Sequence, residues 1–153
     1  MKALSVFHRR WFLLVLAGLA FVGFLDATYL TAVHYMGEVP VCSVVKGCEV
    51  VTTSAYSMVP MPWGTVPISL LGAGYFITLA LLLFAVWDSG KRILLKGALW
   101  LAAAGFAIAL FLFYLQFFVL EAVCQYCLVA DTLSIVIFAL LAGMVQSRRT
   151  LGR

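Results

Sequence analysis

Four apolar runs, each long enough to cross a bilayer, take up most of the 153 residues and leave almost nothing from which to build a water-soluble core. A hydrocarbon layer about 30 Å thick takes roughly 20 apolar residues per helical span. Runs of that kind lie at about residues 11–36, 65–87, 93–120 and 124–145. Charged residues make up only 10% of the chain and the mean hydropathy is +1.13, which excludes a separate soluble domain. Within lipid, backbone polar groups have no water to turn to, so each run must be helical. The sequence predicts an all-α, integral membrane four-helix bundle: a single transmembrane domain over residues 1–153, with one large extracytoplasmic loop at 37–64 between helices 1 and 2.

The formal net charge of +4 does not form a nucleic-acid patch, because the basic residues cluster at the ends of the apolar runs. Of the ten Lys and Arg, only Lys46 falls outside the N-terminus, the second connection (Asp88 to Arg92 and Lys96) and the C-terminal tail. The positive-inside rule then predicts a multi-pass protein of the cell inner membrane with both termini cytoplasmic. Lys2, Arg9 and Arg10 precede a first run with no small-residue cleavage site behind a short core, so a retained span is expected, not a signal peptide. The small-residue stretches Gly72-Ala73-Gly74 and Ala102-Ala103-Ala104-Gly105 suit close helix packing in lipid.

The loop from Gly37 to Gly64 carries Pro40, Pro60 and Pro62, which rule out one continuous helix. Part of it is expected to lie on the membrane surface, with Met58, Met61 and Trp63 dipping into the interface and capping a pocket against water. The loop also carries Cys42 and Cys48, with five residues between them, while Cys124-Gln125-Tyr126-Cys127 heads the fourth span. By the orientation above, all four sulfurs face one compartment.

Cysteines at i and i+3 on a helix share a face, so the pair at 124 and 127 can bond or separate with little backbone movement. The helix N-terminus favours a thiolate at Cys124. Two plainer readings stand beside a redox pair: inert disulfides, or a four-thiolate metal site. A link within one helix end closes too short a loop to stabilise much, and thiolates in an oxidising compartment compete poorly for zinc; no metal is expected. The first pair differs, since its Gly- and Pro-flanked loop can move and Lys46 adds positive potential next to Gly47-Cys48. A mobile pair can meet a soluble partner and then the helix-borne pair.

In chain order, Asp26-Ala27-Thr28-Tyr29-Leu30-Thr31, Cys42-x5-Cys48, Ser54, Pro67 to Tyr75, and Phe117-Phe118-Val119-Leu120 leading to Cys124-x2-Cys127 resemble the vitamin K epoxide reductase family, in its prokaryotic form. The likeness spans nearly the whole chain. It implies a four-helix bundle around a quinone, ubiquinone or menaquinone, and an oxidoreductase relaying electrons from a thioredoxin-like protein to that quinone in support of disulfide formation. It further implies that Cys42 is the sulfur attacked by the partner, that Cys48 exchanges with Cys124, that Cys127 faces the quinone, and that Ser54 steadies the site through its hydroxyl. Many prokaryotic members carry a fused thioredoxin-like domain after the fourth span; here the partner is expected to be a separate extracytoplasmic protein. Two departures from the vertebrate pattern, Ile68 for an asparagine and Asp131 for a tyrosine, favour ordinary quinone reduction over reduction of vitamin K or its epoxide. A structural bundle with inert disulfides is the remaining alternative. Another four-helix thiol oxidase family places its CxxC in the first outer loop, the opposite order.

Asp131, one turn beyond Cys127, fits either a proton supply for a reduced quinone or a helix–helix hydrogen bond. Asp26, mid-span, is expected to pair with a polar group on a neighbouring helix. His34 is read as an interfacial histidine or an aid to a loop thiolate. Tyr75, Gln116 and Tyr126 are each candidates to hydrogen-bond quinone carbonyls or to serve as interhelical and interfacial anchors.

Overall fold

The computed structural model describes residues 2–42, 47–62 and 64–151, with side chains at 10–42, 47–62 and 64–147. Lys46 and Trp63, read above as a source of positive potential and an interfacial anchor, lie outside the described residues. Four long helices form the body: α1 (Lys2–Met36), α3 (Ile68–Ser89), α4 (Arg92–Tyr114) and α5 (Gln125–Leu151), with a short α2 (Cys48–Thr53) in the first loop. Each long helix contains a stretch sufficient to cross a membrane: Arg10–Met36, Ile68–Ser89, Arg92–Val119 and Gln125–Ser147. They close into a ring in which α1 packs on α3, α3 on α4, α4 on α5 and α5 on α1.

The core of the ring is narrow. Leu16, Leu79, Leu83, Ile137 and Leu141 are fully buried, while Trp11, Leu81, Phe84, Trp100 and Phe111 stand exposed around the outside, where lipid would cover them. Because lipid is as apolar as leucine, burial of such residues does not drive the helices together, and close approach at small residues does. Gly23 of α1 lies under the ring of Phe76, so a Cβ there would come within 2.6 Å of that ring. Phe76 is itself 2% exposed and has nowhere to swing. Gly23→Ala is therefore expected to lower stability by about 1–3 kcal/mol through overpacking. Gly97→Ala on α4, where an added Cβ meets nothing within 4 Å, should raise it by about 0.5–1 kcal/mol. Thermal unfolding of both variants in one detergent checks the opposite signs.

The second connection is short because Gly90 takes the left-handed conformation (φ 64°) and its N–H closes α3 on the Val86 carbonyl at 2.9 Å. The first connection is longer and more ordered than its prolines suggest. After α2 and a 3₁₀ turn (Ala55–Ser57), β1 (Met58–Met61) pairs antiparallel with β2 (Gly64–Pro67), Met58 opposite Pro67 and Met61 opposite Gly64. Both strands of a two-stranded ribbon are edges, where proline is tolerated. The ribbon takes residues 65–67 that the hydropathy assigns to the second span, and α3 begins only after the extended Pro67 (φ −66°, ψ 139°).

Candidate functional site

At the loop end of the bundle, α4 does not stop cleanly. It widens into a π-helix over Leu115–Val119, closed by the Leu120 N–H on the Leu115 carbonyl at 2.8 Å. Wide turns of this kind recur at functional sites because they re-aim side chains. Here Gln116 is turned inward and is 2% exposed. The chain then reverses through Glu121, a non-glycine residue at φ 47°, and enters α5 just after Cys124.

Gln116 ties that turn to α5. Its Oε1 accepts the backbone N–H of Cys124 at 3.0 Å, and its Nε2 donates to Asp131 Oδ2 at 3.1 Å. Asp131 is 3% exposed, so of the two roles open to it the structure provides the helix–helix hydrogen bond, which also fixes which way round the Gln116 amide sits. Gln116→Leu leaves both a buried N–H and a buried carboxyl unpaired, at about 1–3 kcal/mol for each group. The expected result is a large loss of thermal stability, part of which the double replacement Gln116→Leu with Asp131→Leu restores, because the carboxyl is removed and only the Cys124 N–H then remains unpaired.

The two sulfurs of the CxxC lie 2.8 Å apart, unbonded, the thiol of Cys127 donating to Cys124, and the Cys127 N–H also approaches the Cys124 sulfur at 3.4 Å. Donation from the Cys127 thiol, helped by backbone N–H groups at the start of α5, holds the Cys124 thiol below its ordinary pKa despite its burial. Cys124 is wholly buried; Cys127 is partly exposed.

The other pair is oxidised: Cys42 and Cys48 form a disulfide with their Cα atoms 6.2 Å apart, and Cys48 is 2% exposed. Two contacts press this loop onto the head of α5, each at the residue before a cysteine. The Tyr126 hydroxyl donates to the Val41 carbonyl at 3.1 Å, its ring resting against Tyr29 with centroids 5.1 Å apart. Gly47 lies against the backbone of Val123 so closely that a Cβ there would sit 2.6 Å from the Val123 oxygen. Thus the residues preceding Cys48 and Cys124 are in direct contact. The loop read from its glycines and prolines as free to move is held at both of its cysteines.

Beneath the loop is a cavity of about 80 Å³, several times the roughly 10–15 Å³ that a single water needs. Leu30 and His34 of α1, Val51 and Thr52 of α2, the Ser54–Ser57 turn, Pro67, Ile68 and Ser69 at the head of α3, and Leu112, Leu115, Gln116 and Leu120 near the end of α4 line it, and Cys127 completes the wall. Apolar walls with a few polar groups suit a small planar ligand.

The sequence pattern of the vitamin K epoxide reductase family matches residues 14–142, which include all four cysteines and every residue lining the cavity. The chain belongs to the vitamin K epoxide reductase family. No curated protein matches it. Family membership makes it a membrane-embedded oxidoreductase, and the bonded loop pair gives it a redox role. Members of the vitamin K epoxide reductase family use quinones, a kind of ligand that an apolar cavity with a sulfur in its wall fits.

Of the residues singled out in the sequence, Cys127, Gln116, Ser54, His34 and Ile68 line this cavity; Tyr75, Tyr126 and Asp131 are not among its lining residues. The Tyr75 hydroxyl is buried over Gly105 without a hydrogen-bond partner among the described residues. Ser54 turns its hydroxyl to the Val51 carbonyl at 2.8 Å, which caps α2. Asp26, expected to pair across helices, has its Oδ2 buried with no hydrogen-bond partner among the described residues. Gly47 escaped notice as a contact residue, and its only signal in the sequence was its place directly before a cysteine.

Proposed function

We propose that the protein is a quinone-dependent thiol oxidase on the extracytoplasmic face of the cell inner membrane, taking electrons from a thioredoxin-like dithiol protein and supporting disulfide formation. The observation that carries this reading is the convergence of two cysteine pairs, one oxidised and one reduced, beside a mainly apolar cavity with Cys127 in its wall. A partner thiolate attacks Cys42 and releases Cys48 as a thiolate, and the partner's second thiol resolves the mixed disulfide. Cys48 and Cys42 then pass the electron pair to an oxidised Cys124–Cys127 pair, with the first attack between Cys48 and Cys124. That attack releases Cys127; Cys42 then attacks Cys48 and releases Cys124, whose lowered pKa makes it the better leaving group in this second step. A quinone bound in the cavity would supply the two-electron sink.

The chain's own residues account for selectivity. Leu30, Ile68, Leu112, Leu115 and Leu120 would exclude water from the ring, and the side chain of Ile68, which the resemblance sets near the place of a vertebrate asparagine, offers no hydrogen bond. Ordinary ubiquinone or menaquinone reduction is accordingly favoured over reduction of a vitamin K epoxide. The test is an acceptor assay with purified protein and a thioredoxin-like dithiol donor. Quinol formation without turnover of the epoxide is the expected result, and epoxide turnover with no quinol formation contradicts it. An impermeant thiol reagent applied to intact cells after reduction, reaching Cys42, tests the assigned side.

A further inference from the structure

Reduction of a quinone consumes two protons as well as two electrons, and on the reading above the dithiol can hand over a proton directly only at the oxygen nearest Cys127. The residues lining the cavity narrow the source of the other. Thr52, Ser54 and Ser57 spend their hydroxyl protons on the carbonyls of Cys48, Val51 and Ser54, at 2.8, 2.8 and 2.7 Å. Gln116 is occupied by Cys124 and Asp131 and carries no proton it can give up. Asp131 and Asp26, the ionisable groups that the sequence brings to mind, are not among the lining residues. The titratable side chains that are among them are Cys127, Tyr56 and His34. Tyr56 is 51% exposed, so water competes for it. His34 is partly buried, stands on α1 where Cys127 stands on α5, and makes an edge contact with Tyr35 at 5.8 Å. Its ring has no hydrogen-bond partner among the described residues.

We propose that His34 is a catalytic acid: it touches the acceptor in this cavity and donates a proton to the oxygen remote from Cys127. The inference rests on the quinone reading and adds a residue to it. The balance is complete. Two S–H bonds break at Cys124 and Cys127, one S–S bond forms, and two electrons pass to the acceptor. One thiol proton goes to the near oxygen and the His34 proton to the far one. The second thiol proton is released, and His34 regains one from the exterior water. Histidine is the side chain suited to giving and regaining a proton at physiological pH.

The decisive variant is His34→Gln, which keeps a hydrogen-bond donor but cannot transfer a proton, with Tyr35→Phe as the neighbouring control. In purified full-length protein, reduction of the Cys124–Cys127 pair by dithiol should proceed as in the native chain, while quinol formation falls by about 100-fold or more. A second readout does not depend on turnover. The chain has two histidines, His8 and His34, so in a His8→Gln background diethyl pyrocarbonate reports on His34 alone by mass spectrometry. Saturation with ubiquinol should protect it, and this readout decides the matter if His34→Gln fails to assemble. Quinol formation by His34→Gln at the native rate, or modification of His34 unaffected by ubiquinol, overturns the assignment while leaving the quinone reading intact. Native protein that forms no quinol at all overturns that reading and this inference with it.

Discussion

Cys127→Ser is expected to reduce quinol formation to the uncatalysed background while leaving the loop disulfide open to reduction by the partner. Cys127 is the one sulfur among the residues that line the cavity, and Cys124, wholly buried behind it, offers no surface to a ligand. Serine preserves a donor toward the Cys124 sulfur, so the local geometry should survive; what is lost is the second sulfur needed to close a disulfide as electrons leave. Cys124, left as a lone thiol, can take no electron pair from the loop, so the partner dithiol should reduce the Cys42–Cys48 disulfide once and the pair should then stay reduced. Quinol absorbance and non-reducing peptide mapping check the two halves. Turnover by Cys127→Ser near the native rate would mean that the cavity is not where electrons leave the protein.

Gly47→Val should have the next largest effect, though the residue carries no chemistry. A Cβ at this position runs into main-chain atoms of Val123, and neither side of that contact is a side chain that can swing away. The loop must lift, taking Cys48 off the head of α5. Misplacement by about 1 Å can cost on the order of 100-fold in rate, and a loss of that size is expected in the transfer of electrons from Cys48 to Cys124, followed by rapid mixing and acid quench. The long helices make no use of this contact, so helix content and thermal unfolding should stay close to native. An unchanged transfer rate would show that the loop does not need this close approach.

The membrane architecture was legible because it depends on composition over long windows: four runs of apolar residues admit only helices in lipid, and no detail of side-chain fit is needed to count them. The ribbon at Met58–Met61 and Gly64–Pro67 was not. Pro60, Pro62 and Pro67 are breakers by every local rule, and only the pairing of two edge strands makes room for two of them. The site divides in the same way. The cysteines could be found by spacing and resemblance, since their chemistry is written in residue type. Gln116 and Asp131, fifteen positions apart, meet only because the π-turn at Leu115–Val119 re-aims one of them, and no periodicity in the sequence signals a π-turn. For Tyr126 the residue type leaves open a hydrogen bond to a quinone carbonyl or an interhelical or interfacial anchor, without saying what it would anchor. Its hydroxyl holds the loop at Val41, a contact between positions 85 apart that no sequence window contains.

Everything in the account turns on electrons passing from the loop pair to the helix pair at one end of the bundle. The most direct measurement uses the double variant Cys42→Ala with Cys127→Ala, which leaves only Cys48 and Cys124. After mild oxidation, intact-mass and non-reducing peptide analysis should find these two joined within one chain. Recovery of two free thiols, or of crosslinks between separate chains alone, would contradict the relay.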